Sequence, residues 1–169
     1  MITSEEFWHR LLDEEIARGT VTAEGVFEDY LAVRGANNEI RDSATEWLFR
    51  SFDELAERLR LQAFECSVER SDESQFNFLG ATLTGPAIFF SHGVKRLSCE
   101  VGSIKAPGQG IIKGGGVAVA RISHFGMPEK EQFLRLSAGE GSARWTVESD
   151  RPRQFDAYDL MAHFRILVS

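Results

Sequence analysis

The glycine run after Lys113 is the segment whose residue types and spacing most directly suggest chemistry. It reads Lys113-Gly114-Gly115-Gly116, so consecutive backbone N–H groups without shielding side chains stand beside a positive charge. Backbone N–H groups in a concave turn can surround an anion such as phosphate. We therefore assign these four residues as candidate ligand-binding residues.

The sequence around this run does not match the known nucleotide-binding loops. A Walker loop needs the spacing G-x-x-x-x-G-K-[ST] followed by a helix, and a dinucleotide-binding loop also leads into a helix N-terminus. Residues 117–120 read VAVA, which is typical of a strand. The favoured explanation is structural: 12 of the 15 glycines lie in residues 80–141, where they would serve bulges, tight corners and close strand packing. The anion site is the alternative.

Histidine supplies the second set of candidates. The four histidines are His9, His92, His124 and His163, and their spacing matches no metal-ligand motif. His92 and His124 each lie at the end of a predicted strand and near a glycine. The fold could bring them together, with Glu100 or Cys99, as acid, base or ligand. We include both as candidate ligand-binding residues, beside the simpler interpretation that they are structural histidines with hydrogen-bond partners.

No motif in the sequence predicts a catalytic residue, a metal or a cofactor. Ser91 and Ser142 each lack one glycine of the G-x-S-x-G motif. The two cysteines, Cys66 and Cys99, have no metal-ligand spacing, and we expect both to be thiols in a reducing compartment. Enzyme activity stays open, with a non-enzyme favoured.

Charge is distributed unevenly along the chain, which carries a net charge of −7. Residues 1–61 hold 14 acids and 7 arginines, whereas residues 62–169 hold 12 groups of each sign. The acidic N-terminal third argues against nucleic acid as a partner, although a weakly basic stretch with aromatic residues lies between residues 86 and 128.

The sequence also predicts the cellular location of the protein. No run approaches the roughly 18 apolar residues of a membrane span. The first six residues carry acids where a signal peptide has basic residues. We expect no membrane partner and a cytoplasmic location.

Apolar spacing predicts the elements that position these residues. A capping-box pair and helical spacing indicate a helix over residues 3–19, a second helix is predicted from Thr22 to Gly35, and a third near residues 43–61. The third carries the stripe Ala44, Leu48, Phe52, Leu55 and Leu59. From residue 62 the period changes to two, the polar residues 71–74 predict a hairpin turn between two strands, and roughly seven short strands follow in all. Residues 156–168 fit either a helix or a closing strand.

The sequence thus predicts one α+β domain over residues 1–169. An N-terminal three-helix segment within residues 3–61 would pack on a glycine-rich antiparallel sheet, sandwich or partial barrel formed by residues 62–169. Oligomeric state and strand order stay open.

The first functional hypothesis is a non-enzymatic binding or interaction domain with an unknown protein or small-molecule partner. Its surface would contain Phe89, Phe90, Ile111, Ile112 and Phe125. The alternative is a small-ligand-binding protein or enzyme whose pocket lies between the helices and the sheet. A large exposed apolar patch would favour the first, and histidines with perturbed titration would favour the second.

Overall fold

The computed structural model describes Arg10, residues 23–138 and residues 143–169. The elements in chain order are α1 (Ala23–Leu61), β1 (Ser67–Phe78), β2 (Ala81–His92), β3 (Lys95–Gly102), β4 (Ala118–His124), β5 (Gln132–Ala138), β6 (Ala143–Val147), β7 (Arg153–Gln154) and α2 (Ala157–Val168). Short 3₁₀ turns lie at Pro107–Gln109 and Pro128–Lys130. The protein is an α+β structure, as predicted.

The predicted three-helix segment is wrong. Within the described ranges the helices are α1 and α2, and α1 is one continuous helix of 39 residues. It runs through Gly35, where the second helix was expected to end, and through Ser43, where the third was expected to begin. A single glycine in a helix costs only about 1 kcal/mol relative to alanine, so it does not stop a helix that is anchored elsewhere. The helix predicted over residues 3–19 lies outside the described residues, apart from Arg10.

The C-terminal half of α1 supplies the anchor. Its predicted apolar stripe is confirmed, since Leu48 and Phe52 are fully buried and Ala44, Leu55 and Leu59 pack against the same core. The indole N–H of Trp145 in β6 donates a hydrogen bond of 3.0 Å to the carbonyl of Ala44. Burial along one stripe therefore joins the helix to the sheet.

The strands form one antiparallel sheet in the order β1 to β7, so each strand pairs with its neighbours in sequence. The sheet is a single layer and not a sandwich. Ser71–Ser74, expected as a turn between two strands, is instead a register shift inside β1. The real turn is Leu79-Gly80, whose φ angles of 48° and 87° match the left-handed backbone of a tight hairpin.

Each face of the sheet is covered. Both helices pack on one face, where the core includes Ile88, Phe90, Leu97, Cys99, Ile122, Leu134 and Phe164. On the other face lies a smaller cluster of Phe76, Phe78, Ala81, Leu83, Ile112 and Val119. Ile112 belongs to the loop between β3 and β4, so that loop covers the second face.

The C-terminal segment is a helix. Asp156 begins α2, and its side chain accepts hydrogen bonds from the backbone N–H groups of Tyr158 and Asp159. Asp159 in turn accepts from the backbone N–H of Asp156 and completes a capping box. The pair of aspartates three residues apart is therefore a helix-capping device. Neither helix of the described ranges is long and apolar enough to cross a membrane.

Candidate functional site

The loop from Lys113 to Gly116 wraps around an arginine of β5. One nitrogen of the Arg135 guanidinium donates to the carbonyl of Lys113 at 2.7 Å and to the carbonyl of Gly115 at 2.5 Å. Gly114, Gly115 and Gly116 all have left-handed φ angles, of 87°, 85° and 98°. A side chain at Gly116 would also place its Cβ 2.8 Å from the carbonyl oxygen of Leu136. The glycines therefore allow a backbone path that turns carbonyl groups towards a cation.

The direction of these carbonyl groups bears on the anion-binding hypothesis. An anion nest needs convergent N–H groups, whereas the two carbonyls on Arg135 present oxygen to a positive charge. Arg135 is held from its other side by the carboxylate of Glu148, at 2.9 Å and 2.7 Å. Hydrogen bonding to Arg135 lowers the pKa of Glu148 below its usual value. Anion binding at Lys113 itself stays a prediction.

His92 and His124 have different partners. Nδ1 of His92 lies 2.8 Å from the carbonyl oxygen of Glu65, and its ring contacts Phe64 at a centroid distance of 4.1 Å. His124 is buried on the helix-covered face, and its Nε2 lies 3.0 Å from Nδ1 of His163 in α2. The structure thus pairs His124 with His163, a residue that the sequence did not single out.

The His124–His163 pair is a hydrogen-bonded chain of neutral rings. Nε2 of His163 lies 2.8 Å from the side-chain oxygen of Gln132, so His163 donates there and accepts from His124 at Nδ1. Burial and the neighbouring His124 lower the pKa of His163 to about 4. Burial and Lys130 lower the pKa of His124. Both groups are satisfied within the fold, which is the arrangement of structural histidines.

A cavity of about 250 Å³ lies between α1 and the sheet. Its walls include Arg41, Thr45 and Phe49 from α1, Thr84 from β2, and Ser103 and Lys105 from the segment that follows β3. Ser71 and Asp72, at the register shift in β1, also line it. The cavity is large enough for several waters and is slightly smaller than a site for a drug-sized ligand.

Ser103 is the unusual member of this pocket. The residue is 2% exposed, and its hydroxyl is the one buried side-chain N or O atom in the described ranges without a hydrogen-bond partner. Thr84, which pairs with Ser103 across the sheet, differs: its hydroxyl accepts from Gln75 at 3.5 Å and from Gln109 at 3.2 Å. A buried hydroxyl without a partner costs about 1–3 kcal/mol, so the position of the Ser103 hydroxyl is unfavourable within the fold itself.

Lys105 lies two residues after Ser103 and lines the same pocket. Its ammonium group forms no ion pair with any described residue. The Lys105 side chain is largely exposed, but its partial desolvation lowers its pKa, the positive charges of Arg41 and Arg34 lower it further, and Asp42 opposes them. Ser103 and Lys105 therefore line one cavity, the first without a hydrogen-bond partner for its hydroxyl and the second without an ion-pair partner in the described ranges.

Two larger grooves differ from this pocket, because the polar side chains considered in them already have hydrogen-bond partners. A groove of about 730 Å³ is bordered by Phe64, Cys66 and His92, and one of about 750 Å³ by Trp47, Trp145 and Phe155. Nδ1 of His92 and the indole N–H of Trp145 already have backbone partners. Cavity volume alone therefore does not select the site.

The sequence missed Ser103 and Lys105. A signal for them existed, because they continue the alternation of Leu97, Cys99 and Val101 and so place polar groups where that pattern predicts a buried face. What could not be foreseen is that no neighbour satisfies the Ser103 hydroxyl.

The five apolar residues that were predicted to form a partner surface lie in different parts of the structure. Phe90 and Ile112 are buried, in different core clusters. Phe89 is half-buried beneath the guanidinium of Arg96, at 4.3 Å from its ring centroid. Phe125 and Ile111 are exposed, at 78% and 48%. These five residues do not form one patch.

The described residues contain no group of three or more His, Cys, Asp or Glu side chains that could hold a metal ion. Compared with protein-family models, with curated proteins and with solved structures, the chain matches none of them.

Proposed function

We propose that this protein binds a small molecule in the pocket between α1 and the sheet. The single observation that carries the proposal is the Ser103 hydroxyl, which is buried at the pocket wall without a partner. A fold that keeps such a group gives up stability at that position, and a ligand that accepts its hydrogen bond would restore it. The pocket supports binding, and we assign no chemical step to it.

The size of the cavity limits the ligand. At about 250 Å³ it lies just below the roughly 300–1,000 Å³ of sites for drug-sized ligands. The walls combine the apolar ring of Phe49 with hydroxyl and charged groups. This mixture suits a compact polar molecule better than a lipid or a large cofactor.

Fragment titration of ¹⁵N-labelled protein followed by NMR tests the proposal. Neutral, acidic and basic fragments are added one at a time, and the expected result is saturable shifts at the amides of Thr84, Gly102 and Ser103. Ser103→Leu adds bulk at the pocket wall and should abolish the shifts. Ser67→Leu, in the groove beside His92, is the matched control and should leave them unchanged. Fragments that bind only elsewhere, or equally well in Ser103→Leu, would refute the proposal.

A protein-interaction function is the second candidate. The observation that favours it is the exposure of Phe125 and Ile111, which remain available to a partner. If they mediate self-association, sedimentation velocity should show a concentration-dependent increase that Phe125→Ser removes. A concentration-independent monomer that is identical in the variant would argue against self-association.

A further inference from the structure

We propose that the group recognised in this pocket is a small oxyanion, a carboxylate or a phosphate, held by Lys105 and Ser103. This inference rests on the proposed ligand-binding function and adds the chemical class of the ligand. It assigns the anion to a different place from the glycine run after Lys113.

The donor inventory of the pocket supports an anion. An ammonium group has three N–H donors and no acceptor, and a serine hydroxyl can donate one hydrogen bond. Lys105 has no ion-pair partner among the described residues, and the Ser103 hydroxyl has no partner at all there. The ligand must therefore supply acceptors, and an oxyanion supplies several at once.

The acids that line the pocket do not fill this role. Glu46 is paired with Arg50 on α1 at 3.3 Å. Asp42 and Asp72 are exposed, and neither forms an ion pair with Lys105. These carboxylates thus line the pocket without forming an ion pair with its lysine.

The electrostatic environment of Lys105 points in the same direction. Partial desolvation and the nearby positive charges of Arg41 and Arg34 disfavour its ammonium form and lower its pKa, and Asp42 compensates only in part. A bound anion would reverse this effect, since an opposite charge within hydrogen-bonding distance stabilises the ammonium form. Anion binding and Lys105 protonation should therefore be coupled.

Inorganic phosphate and acetate, titrated separately at constant ionic strength with chloride as the reference salt, test the inference and distinguish the two oxyanions. Binding is followed by NMR at the amides of Gly102 and Ser103. Lys105→Met removes the charge and keeps most of the length of the side chain. Because hydrogen bonds to charged groups contribute about 1.5–3 kcal/mol, we expect affinity to fall at least about tenfold. Lys105→Gln serves as a second variant, and Lys105 is exposed enough that both should fold.

Lys113→Met is the matched control, because Lys113 is an exposed lysine in the rival loop. Unchanged binding in this variant, together with the loss in both Lys105 variants, is the expected result. Binding that is lost in Lys113→Met and kept in Lys105→Met would overturn the inference and assign the anion to the glycine loop. If neutral fragments occupy the pocket but neither anion does, the inference fails while the proposed function stands. If nothing occupies the pocket, both fail.

Discussion

His124 and His163 lie with Nε2 of one ring 3.0 Å from Nδ1 of the other, and both residues are buried where β4 meets α2. Their rings are stacked at a centroid distance of 5.3 Å. A second proton on either ring would place a positive charge in the core, and a proton on Nδ1 of His163 would also remove the acceptor of the His124 hydrogen bond. The geometry therefore holds both rings neutral.

Stability should fall as the pH is lowered. In the folded protein the pKa of His163 is about 4, below its value in the unfolded chain, so the unfolded state binds more protons between these two values. The stabilisation is complete above the unfolded pKa and is lost as the pH falls towards the folded pKa. Between about pH 7 and about pH 5 the loss from His163 should be about 2 kcal/mol.

Urea unfolding at a series of pH values measures this loss. Carboxylates also titrate in acid, so the test is the difference between wild type and His163→Gln, which cannot be protonated. The variant should show the shallower pH dependence. Equal slopes for wild type and His163→Gln would show that His163 does not couple folding to protons.

Two glycines should respond in opposite ways to alanine. Gly35 lies within α1, and a Cβ there would meet nothing within 4 Å. Gly35→Ala should raise the free energy of unfolding by about 0.5–1 kcal/mol, because alanine restricts the unfolded chain and favours the helix. At Gly85 a Cβ would lie 2.1 Å from the carbonyl oxygen of Val101. Gly85→Ala should therefore cost about 1–3 kcal/mol or more in chemical denaturation. A destabilising Gly35→Ala would mean that the helix is not continuous through residue 35.

The buried carboxylate of Glu100 should make Arg121 important for stability. Arg121 donates to one oxygen of Glu100 at 2.8 Å and 2.6 Å, and Ser74 donates to the other at 2.6 Å. Arg121→Met would leave this carboxylate buried and poorly compensated, at a cost of about 3 kcal/mol. Adding Glu100→Gln to that variant should recover part of the loss. A double-mutant cycle from urea unfolding gives the coupling, and a coupling near zero would contradict the assignment.

We expect Arg135 to order the glycine loop at residues 113–116. Arg135→Met removes its hydrogen bonds to the carbonyls of Lys113 and Gly115 and its ion pair with Glu148. We expect a loss of about 2 kcal/mol and faster amide hydrogen exchange across the loop. Arg151→Met, at an exposed arginine, should change neither quantity. Unchanged exchange at Gly115 would show that the loop is ordered by something else.

The local sequence patterns predicted the strands better than they predicted the helices. Alternation located the strand segments because each pair of neighbouring strands buries one set of side chains, as Leu97, Cys99 and Val101 show. The same local rules broke α1 at Gly35 and Ser43, where stop and start signals are present but the helix continues. Signals of about 1 kcal/mol cannot decide a boundary when burial of Leu48 and Phe52 fixes the rest of the helix.

The candidate site was harder to predict because it depends on contacts between distant segments. The glycine run is conspicuous in sequence, yet its carbonyls meet Arg135, which lies about 20 residues further along the chain. Ser103 is an ordinary serine in sequence, and only the packing of α1 against the sheet leaves its hydroxyl buried beside a cavity. No spacing rule contains that information.

The most direct test of the proposed pocket is the free energy of unfolding of wild type and Ser103→Ala, each with and without a fragment that binds the pocket. Without ligand, the variant should be more stable by about 1 kcal/mol, because it loses a buried hydroxyl that has no partner. Thr84→Val, which removes a hydroxyl with two partners, should be less stable than wild type. With ligand, the fragment should stabilise Ser103→Ala less than it stabilises wild type. A Ser103→Ala protein that is destabilised like Thr84→Val, or that gains as much from the fragment as wild type does, would contradict the account.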